Sequence, residues 1–278
     1  MTHRFLLNFT PTGMIPTKAM TPHVPILPHE IVTQVDEAVA LGANMAHLHA
    51  RDAATGKPTY QKEIYAEIVR GVRERHPDLV ICLSTSGRDF PGFNERSECL
   101  DLTGDLRPDM GSLTLSSLNF NAQASMNSPD MIQSLAKKMQ DNGIKPELEV
   151  FDLGMINYAH YLIKKGLITP PYYFNLILGN IACAQANLLS LGLMIKELPA
   201  DSFWSVGGIG DAQLRMNAIG IIDGGGVRVG LEDNIYLDEE RTKLATNTQL
   251  VRRVIDIANV MGRTPYTHGE ARAVLGLT

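Results

Sequence analysis

The chain reads as a single-domain α/β protein, a (β/α)8 or TIM barrel. Three observations carry that reading. Short apolar segments alternate with helical segments eight times along 278 residues. No linker or low-complexity stretch interrupts them. Polar residues gather where the apolar segments end, which in a barrel is the face that holds the active site. The domain is expected over residues 1–278, with a short helical extension at its C-terminal end.

The elements follow in order. Arg4–Phe9 is strand one, ended by Thr10-Pro-Thr-Gly13. Met14–Pro28 holds four prolines and no periodicity, so it is a long irregular loop, a kind that in compact domains is usually functional. Pro28-His-Glu30 opens a helix to about Leu41, with proline in its first turn, and Gly42 stops it. The strand around His47 is the second, Ala53–Pro58 a turn, and Gln61–Arg75 an amphipathic helix. Leu79–Leu83 is strand three, running into Ser84-Thr-Ser-Gly-Arg88. A short helix over Phe93–Leu100 precedes strand four, Met110–Leu118. Pro129–Asn142 is a helix, Lys145–Asp152 strand five, Met155–Lys165 a helix and Tyr172–Leu178 strand six. Ala184–Glu197 is a helix, Ser202–Val206 strand seven, Ala212–Ile222 a helix and Gly226–Leu231 strand eight. Helices over Thr246–Met261 and Gly269–Leu275 close the chain. A doubly wound open sheet is the alternative. Gly207-Gly-Ile-Gly210 could serve it as a weak phosphate-binding turn, but GxGxxG is absent.

Composition narrows the function. A hydrophobic content of 44% supports a large core. A net charge of −5 and a pI near 5.9 argue against a nucleic-acid or anionic-membrane surface. The short runs Lys137-Lys138 and Arg252-Arg253 read as solvated helix faces. Three cysteines, Cys82, Cys99 and Cys183, form no disulfide framework or CxxC pair, and Cys82 and Cys183 read as packing residues in apolar surroundings. No apolar run reaches a membrane span, and MTHRFLLNFTPTG is too short in its apolar part for a secretory signal. A cytoplasmic protein is expected.

The chemistry starts at Asn44–Asp52. His47 and His49 are two residues apart on a strand, so both imidazoles point to one face, and Arg51 continues that face. Two neutral imidazoles on one face are half of a zinc site. Ser84 and Ser86, Ser112 and Thr114, Glu147 and Glu149, and Arg228, Glu232 and Asp233 lie at other strand ends. Alternate barrel strands aim side chains at one level, so strands two and eight can share a centre. A His, His, Glu set with open positions is a catalytic zinc site. Each residue has a plainer role available. Glu232 or Asp233 could cap a helix, Arg228 could pair with either, Glu149 could bridge to Lys145, and the serines could satisfy loop backbone. Their convergence at the ends of different strands favours a site.

With these residues assembled, the chain resembles the β-keto acid cleavage enzymes. The resemblance rests on Thr12-Gly13, Pro25-x-x-Pro28, Gly42-Ala43, His47-Leu-His49, Ser84-Thr85 with Gly87, and Asn119-Phe120. It continues through Pro146-Glu-x-Glu149, Gly154-Met155, Gly208-Ile-Gly210 and Glu232-Asp-Asn-Ile235. It implies a zinc-dependent barrel that exchanges a β-keto acid with acetyl-CoA, giving acetoacetate and a new acyl-CoA. By matching position it implies His47, His49 and Glu232 as zinc ligands, Asp233 oriented by Arg228 as base, and Glu149 as a second active-site carboxylate. It implies Ser84, Gly87 and Ser112 at the substrate's carboxylate and keto region, and a homo-oligomer, commonly a tetramer. The lysine-fermentation member, whose substrate bears an amine, has a glutamate where this chain has Ile15, and Lys18 matches a basic residue there. Ile15 is therefore expected to be a buried, apolar part of the tail pocket, which implies an apolar or neutral tail.

Two competing readings remain. One is a zinc-dependent barrel hydrolase or aldolase. None of the remaining histidines, His3, His23, His29, His76, His160 and His268, falls at an expected strand end to hold a second metal, although His23 could approach from the long loop. The other is a metal-binding barrel without turnover, which leaves Asp233 and Glu149 unexplained.

Overall fold

Strands buried on both faces read as near-continuous apolar runs, and the barrel is built from such runs. The computed structural model describes residues 3–277; Met1, Thr2 and Thr278 of the expected domain lie outside the described residues. The barrel strands are β1 (Leu7–Phe9), β2 (Met45–Leu48), β3 (Val80–Leu83) and β4 (Met110–Thr114). They continue with β5 (Lys145–Val150), β6 (Tyr172–Leu178), β7 (Ser202–Gly208) and β8 (Gly226–Val229). All eight are parallel and close into a barrel in chain order. The expected closed barrel is the observed fold.

The helices form where capping and spacing call for them. α1 (Pro28–Leu41) starts with proline, and Glu30 reaches back to the Ile26 and Leu27 amides at 2.7 and 3.0 Å. α2 (Lys62–Arg75) buries Tyr65, Ile68, Val69 and Val72, an i, i+3, i+4, i+7 stripe. α3 (Phe93–Ser97) and α4 (Pro129–Asp141) flank β4, and α5 (Leu153–Lys164) follows β5. α6 (Leu188–Glu197) begins four residues later than expected, because the Asn187 side chain accepts from the Ser190 amide at 2.9 Å and fixes the start there. α7 (Ala212–Ile222), α8 (Asn247–Val260) and α9 (His268–Leu275) complete the chain. α9 adds Ala271 and Leu275 to a cluster inside the barrel with Leu6, Met45, Val80, Met110 and Tyr173, covering the end opposite the site. Among the described residues no helix is long and apolar enough to cross a membrane.

Three expectations need correction. Strand one is split, since Arg4–Phe5 pairs with Thr264–Pro265 and only Leu7–Phe9 enters the barrel. Strand four stops at Thr114, and Leu118–Asn119 instead pairs antiparallel with Ala124–Ser125 in a hairpin beside the cavity. Strand seven runs on to Gly208, past its expected end at Val206. A Cβ on Gly207 would lie 3.2 Å from the Arg228 stem, so the missing side chain makes room for that arginine.

Candidate active site

The polar residues meet at the C-terminal mouth of the barrel, around a cavity of about 420 Å³. His47 and His49 are buried, and their Nε2 atoms lie 3.1 Å apart. Glu232, in the turn after β8, brings Oε1 to 3.2 Å from His49 Nε2 and 4.0 Å from His47 Nε2. Gly13 makes this approach possible: it has φ +62°, and a Cβ there would fall 2.3 Å from Glu232 Cγ.

His47 is oriented from below. Its Nδ1 lies 2.5 Å from Glu147 Oε2, which leaves Nε2 facing His49 and Glu232. Glu147 is fully buried on β5, and it also accepts from Asn8 at 2.5 Å, Asn175 at 3.0 Å and the Cys82 thiol at 3.1 Å. Cys82 packs in the apolar cluster inside the barrel, as expected, and its thiol also meets the Glu147 carboxylate there. Burial opposes a charged His47, but the Glu147 and Glu232 carboxylates outweigh it and raise His47 to about 9. Burial pushes His49 down to about 4. Burial works against the Glu147 charge, yet His47 holds that carboxyl at about 2.

The residues fit a metal ion. Bonds of about 2.0–2.2 Å at tetrahedral angles place donor atoms roughly 3.3–3.6 Å apart, close to the separations here. Glu232 Oε2 is buried with no hydrogen-bond partner among the described residues, a lone pair that a cation would satisfy. His47 held by a carboxylate behind it is the usual support of a metal-bound imidazole.

Arg228 gathers the acids. Its Nε and Nη2 donate to the Asp233 carboxylate at 2.7 and 3.1 Å, Nη2 also reaches Glu232 Oε1 at 2.7 Å, and Nη1 lies 3.7 Å from Glu149 Oε1. Glu149 accepts from the Thr114 hydroxyl at 2.6 Å, and Lys145 instead donates to the Pro171 carbonyl at 2.8 Å. Burial raises Asp233 above the usual carboxylate range, with Arg228 opposing and Glu232 assisting. Burial likewise raises Glu149. Two buried carboxyls with raised affinity for protons beside the candidate metal ligands suit acid–base work.

A family model for the beta-keto acid cleavage enzymes matches residues 4–277. The chain belongs to the β-keto acid cleavage enzyme family. It is 36% identical to the 3-keto-5-aminohexanoate cleavage enzyme of Fusobacterium nucleatum, over 100% of this chain and 99% of the relative. It is 35% identical to the 3-oxoadipate:acetyl-CoA acetyltransferase of Cupriavidus necator, over 100% of this chain and 96% of the relative. A solved ternary complex of ObcA with a C4-CoA adduct and oxalate superposes with a TM-score of 0.83 at 23% identity. The match covers 94% of this chain and 68% of that one, a likeness of fold.

As a β-keto acid cleavage enzyme, the chain places the other expected site residues unequally. Ser84 lines the cavity, and Ser86 and Thr114 join it. Ser112 Oγ accepts from the Thr85 amide at 3.0 Å, which holds the β3 turn instead of lining the cavity. Gly87 is buried against Arg96, whose Nη1 a Cβ would meet at 2.7 Å. Arg96 in turn ties the turn to Met126 and Asn127. Ile15 lines the cavity but is 52% exposed, so it stands at the mouth and is not buried as expected. Lys18 pairs with Glu30 at 2.9 Å on the outer side of the loop. Arg51, three residues past the end of β2 at Leu48, leaves the face that His47 and His49 share. Its guanidinium donates to the Gly13, Pro16 and Gly56 carbonyls at 2.9, 3.0 and 2.9 Å, pinning the long loop. His23 is exposed, and among the described residues no further histidine joins His47 and His49 in a candidate metal group.

Proposed function

We propose that this chain cleaves a β-keto acid with acetyl-CoA, releasing acetoacetate and a new acyl-CoA. The observation that carries the reading is the convergence of His47, His49 and Glu232 beside Asp233 and Glu149 at the mouth of a barrel of this family. His47, His49 and Glu232 would hold a zinc ion. When bound, it supplies Lewis acidity to the substrate's keto and carboxylate oxygens.

The chain's own groups supply the rest. Asp233 takes a proton from the carbon between the two carbonyls, while Arg228 holds both of its oxygens and aims it. The resulting enolate attacks the acetyl thioester and expels CoA thiolate. The thiolate then attacks the substrate's own ketone, the old carbon–carbon bond breaks, and acetoacetate leaves after Asp233 returns the proton. Glu149, facing the same space, would be a second proton-holding group, and Ser84, on the cavity wall, would donate a hydrogen bond to the acid end. Incubating a panel of β-keto acids with acetyl-CoA tests this by mass spectrometry. Acetoacetate with a matching acyl-CoA is expected, and hydrolysis products alone would favour the hydrolase reading.

A cytoplasmic homotetramer belongs to the same proposal. Leu188, Leu189 and Ile181, 70%, 73% and 66% exposed beside α6, support an interface there, and light scattering measures it. Ile15 is proposed to touch the substrate tail. A half-exposed ion pair is worth about 0.2–1 kcal/mol, so Ile15→Glu is expected to shift kcat/KM about 1.4- to fivefold toward amine-tailed over neutral substrates. An unchanged ratio would remove Ile15 from the tail pocket.

A further inference from the structure

Arg88 follows Gly87 in the turn leaving β3 and lines the cavity. Its guanidinium carbon lies 3.3 Å from the centre of the Phe120 ring, at the tip of the Leu118–Ser125 hairpin. Phe120 is braced edge-on by Phe151, with ring centres 5.7 Å apart. Stacking occupies one face of the guanidinium and leaves its N–H donors at the edge.

Those donors make no hydrogen bond and no ion pair within 4 Å among the described residues. The fully buried arginines differ from the half-buried Arg88. Arg51 and Arg263 are spent on backbone carbonyls, Arg96 on carbonyls and Asn127, and Arg228 on carboxylates. Arg241, also on the cavity, stacks on Tyr236 at the exposed rim. Glu149, Glu232 and Asp233, the carboxylates on the cavity wall, are all drawn to Arg228. On the cavity wall Arg88 thus keeps its donors for a ligand, whereas each carboxylate already lies against Arg228. Leu118, Phe151 and Ile177 line the same cavity and make an apolar wall suited to methylenes.

We propose that Arg88 binds a second carboxylate at the substrate's tail, so that this chain acts on β-keto dicarboxylic acids. The inference rests on the function proposed above and deepens it. A planar fork of donors matches a carboxylate, and pairing removes the cost of a partly buried, unpartnered charge. An ammonium tail would meet the Arg88 charge here, and the nearby carboxylates are already drawn to Arg228.

The test compares kcat/KM for a β-keto diacid and for its tail methyl ester at saturating acetyl-CoA. Arg88→Met keeps the apolar stem and removes the charge, and Arg88→Lys keeps the charge without the fork. The diacid-to-ester ratio is expected to fall about 100-fold in Arg88→Met and about 10-fold in Arg88→Lys, the scale of a charged hydrogen bond. An unchanged ratio overturns the proposal. An equal loss on both substrates overturns it in favour of the acid end, and a rise confined to the KM of acetyl-CoA overturns it in favour of the coenzyme. Calorimetric titration of the metal-loaded protein with the diacid, without acetyl-CoA, reads the same contact independently of turnover. Binding about tenfold or more weaker in Arg88→Met supports Arg88 even where no β-keto acid is cleaved, and equal binding by both proteins overturns it.

Discussion

Asp233→Asn is expected to fold, keep its metal and turn over about 10²- to 10⁴-fold more slowly, the range of a lost general base. The carboxylate sits in the fork of Arg228, with contacts of 2.7 and 3.1 Å, so its direction is set before substrate arrives. Burial raises its affinity for a proton, which makes it a better base than an exposed aspartate. Asparagine has nearly the same shape but cannot accept the proton. Its amide NH2 would also face a guanidinium that donates on both sides. Steady-state rates, metal content and circular dichroism on one preparation check this. A rate near wild type would move the base to Glu149, and Glu149→Gln would then carry the loss.

The second large effect concerns the cation. His47→Ala and Glu232→Ala are each expected to lose most of one bound zinc per chain, measured by elemental analysis after dialysis. Each removes one of three converging donor atoms, and Glu232→Ala also takes a carboxylate from Arg228. Glu147→Gln leaves all three donors in place and is expected to weaken zinc by about 10- to 100-fold, as the loss of a hydrogen-bonded support does. Its effect separates support from ligation: partial occupancy that recovers with added zinc. Full occupancy in both His47→Ala and Glu232→Ala would sink the assignment.

Much of this site was legible along the chain. His47 and His49 share a face because strand side chains repeat every second residue, and both are turned into the barrel. Glu147 and Glu149 show the same spacing on strand five. That spacing could have signalled Glu147 as a partner of His47, but a buried acid cannot be assigned a partner from its own strand. Along the chain Leu113, Leu115 and Leu118 prolong the apolar pattern and hide the hairpin after β4. The Phe120 amide bonding to the Gln123 carbonyl at 2.9 Å turns the chain back instead. Arg88 carried no signal, since a lone arginine in a turn is ordinarily solvated.

By itself, the sequence determined the order and type of the elements, the closed barrel and the strand ends that carry chemistry. These follow from local periodicity, capping and turn residues, which act within a few residues of one another. Tertiary structure alone decided which groups meet. His47 and Glu147 are a hundred residues apart in sequence and 2.5 Å apart in space, and Gly13 lies against Glu232. It also decided that Arg51 serves the loop, Ser112 the β3 turn, and Arg88 the cavity. Closing the sheet sets the stagger between strands, and the stagger determines which buried donor finds which acceptor.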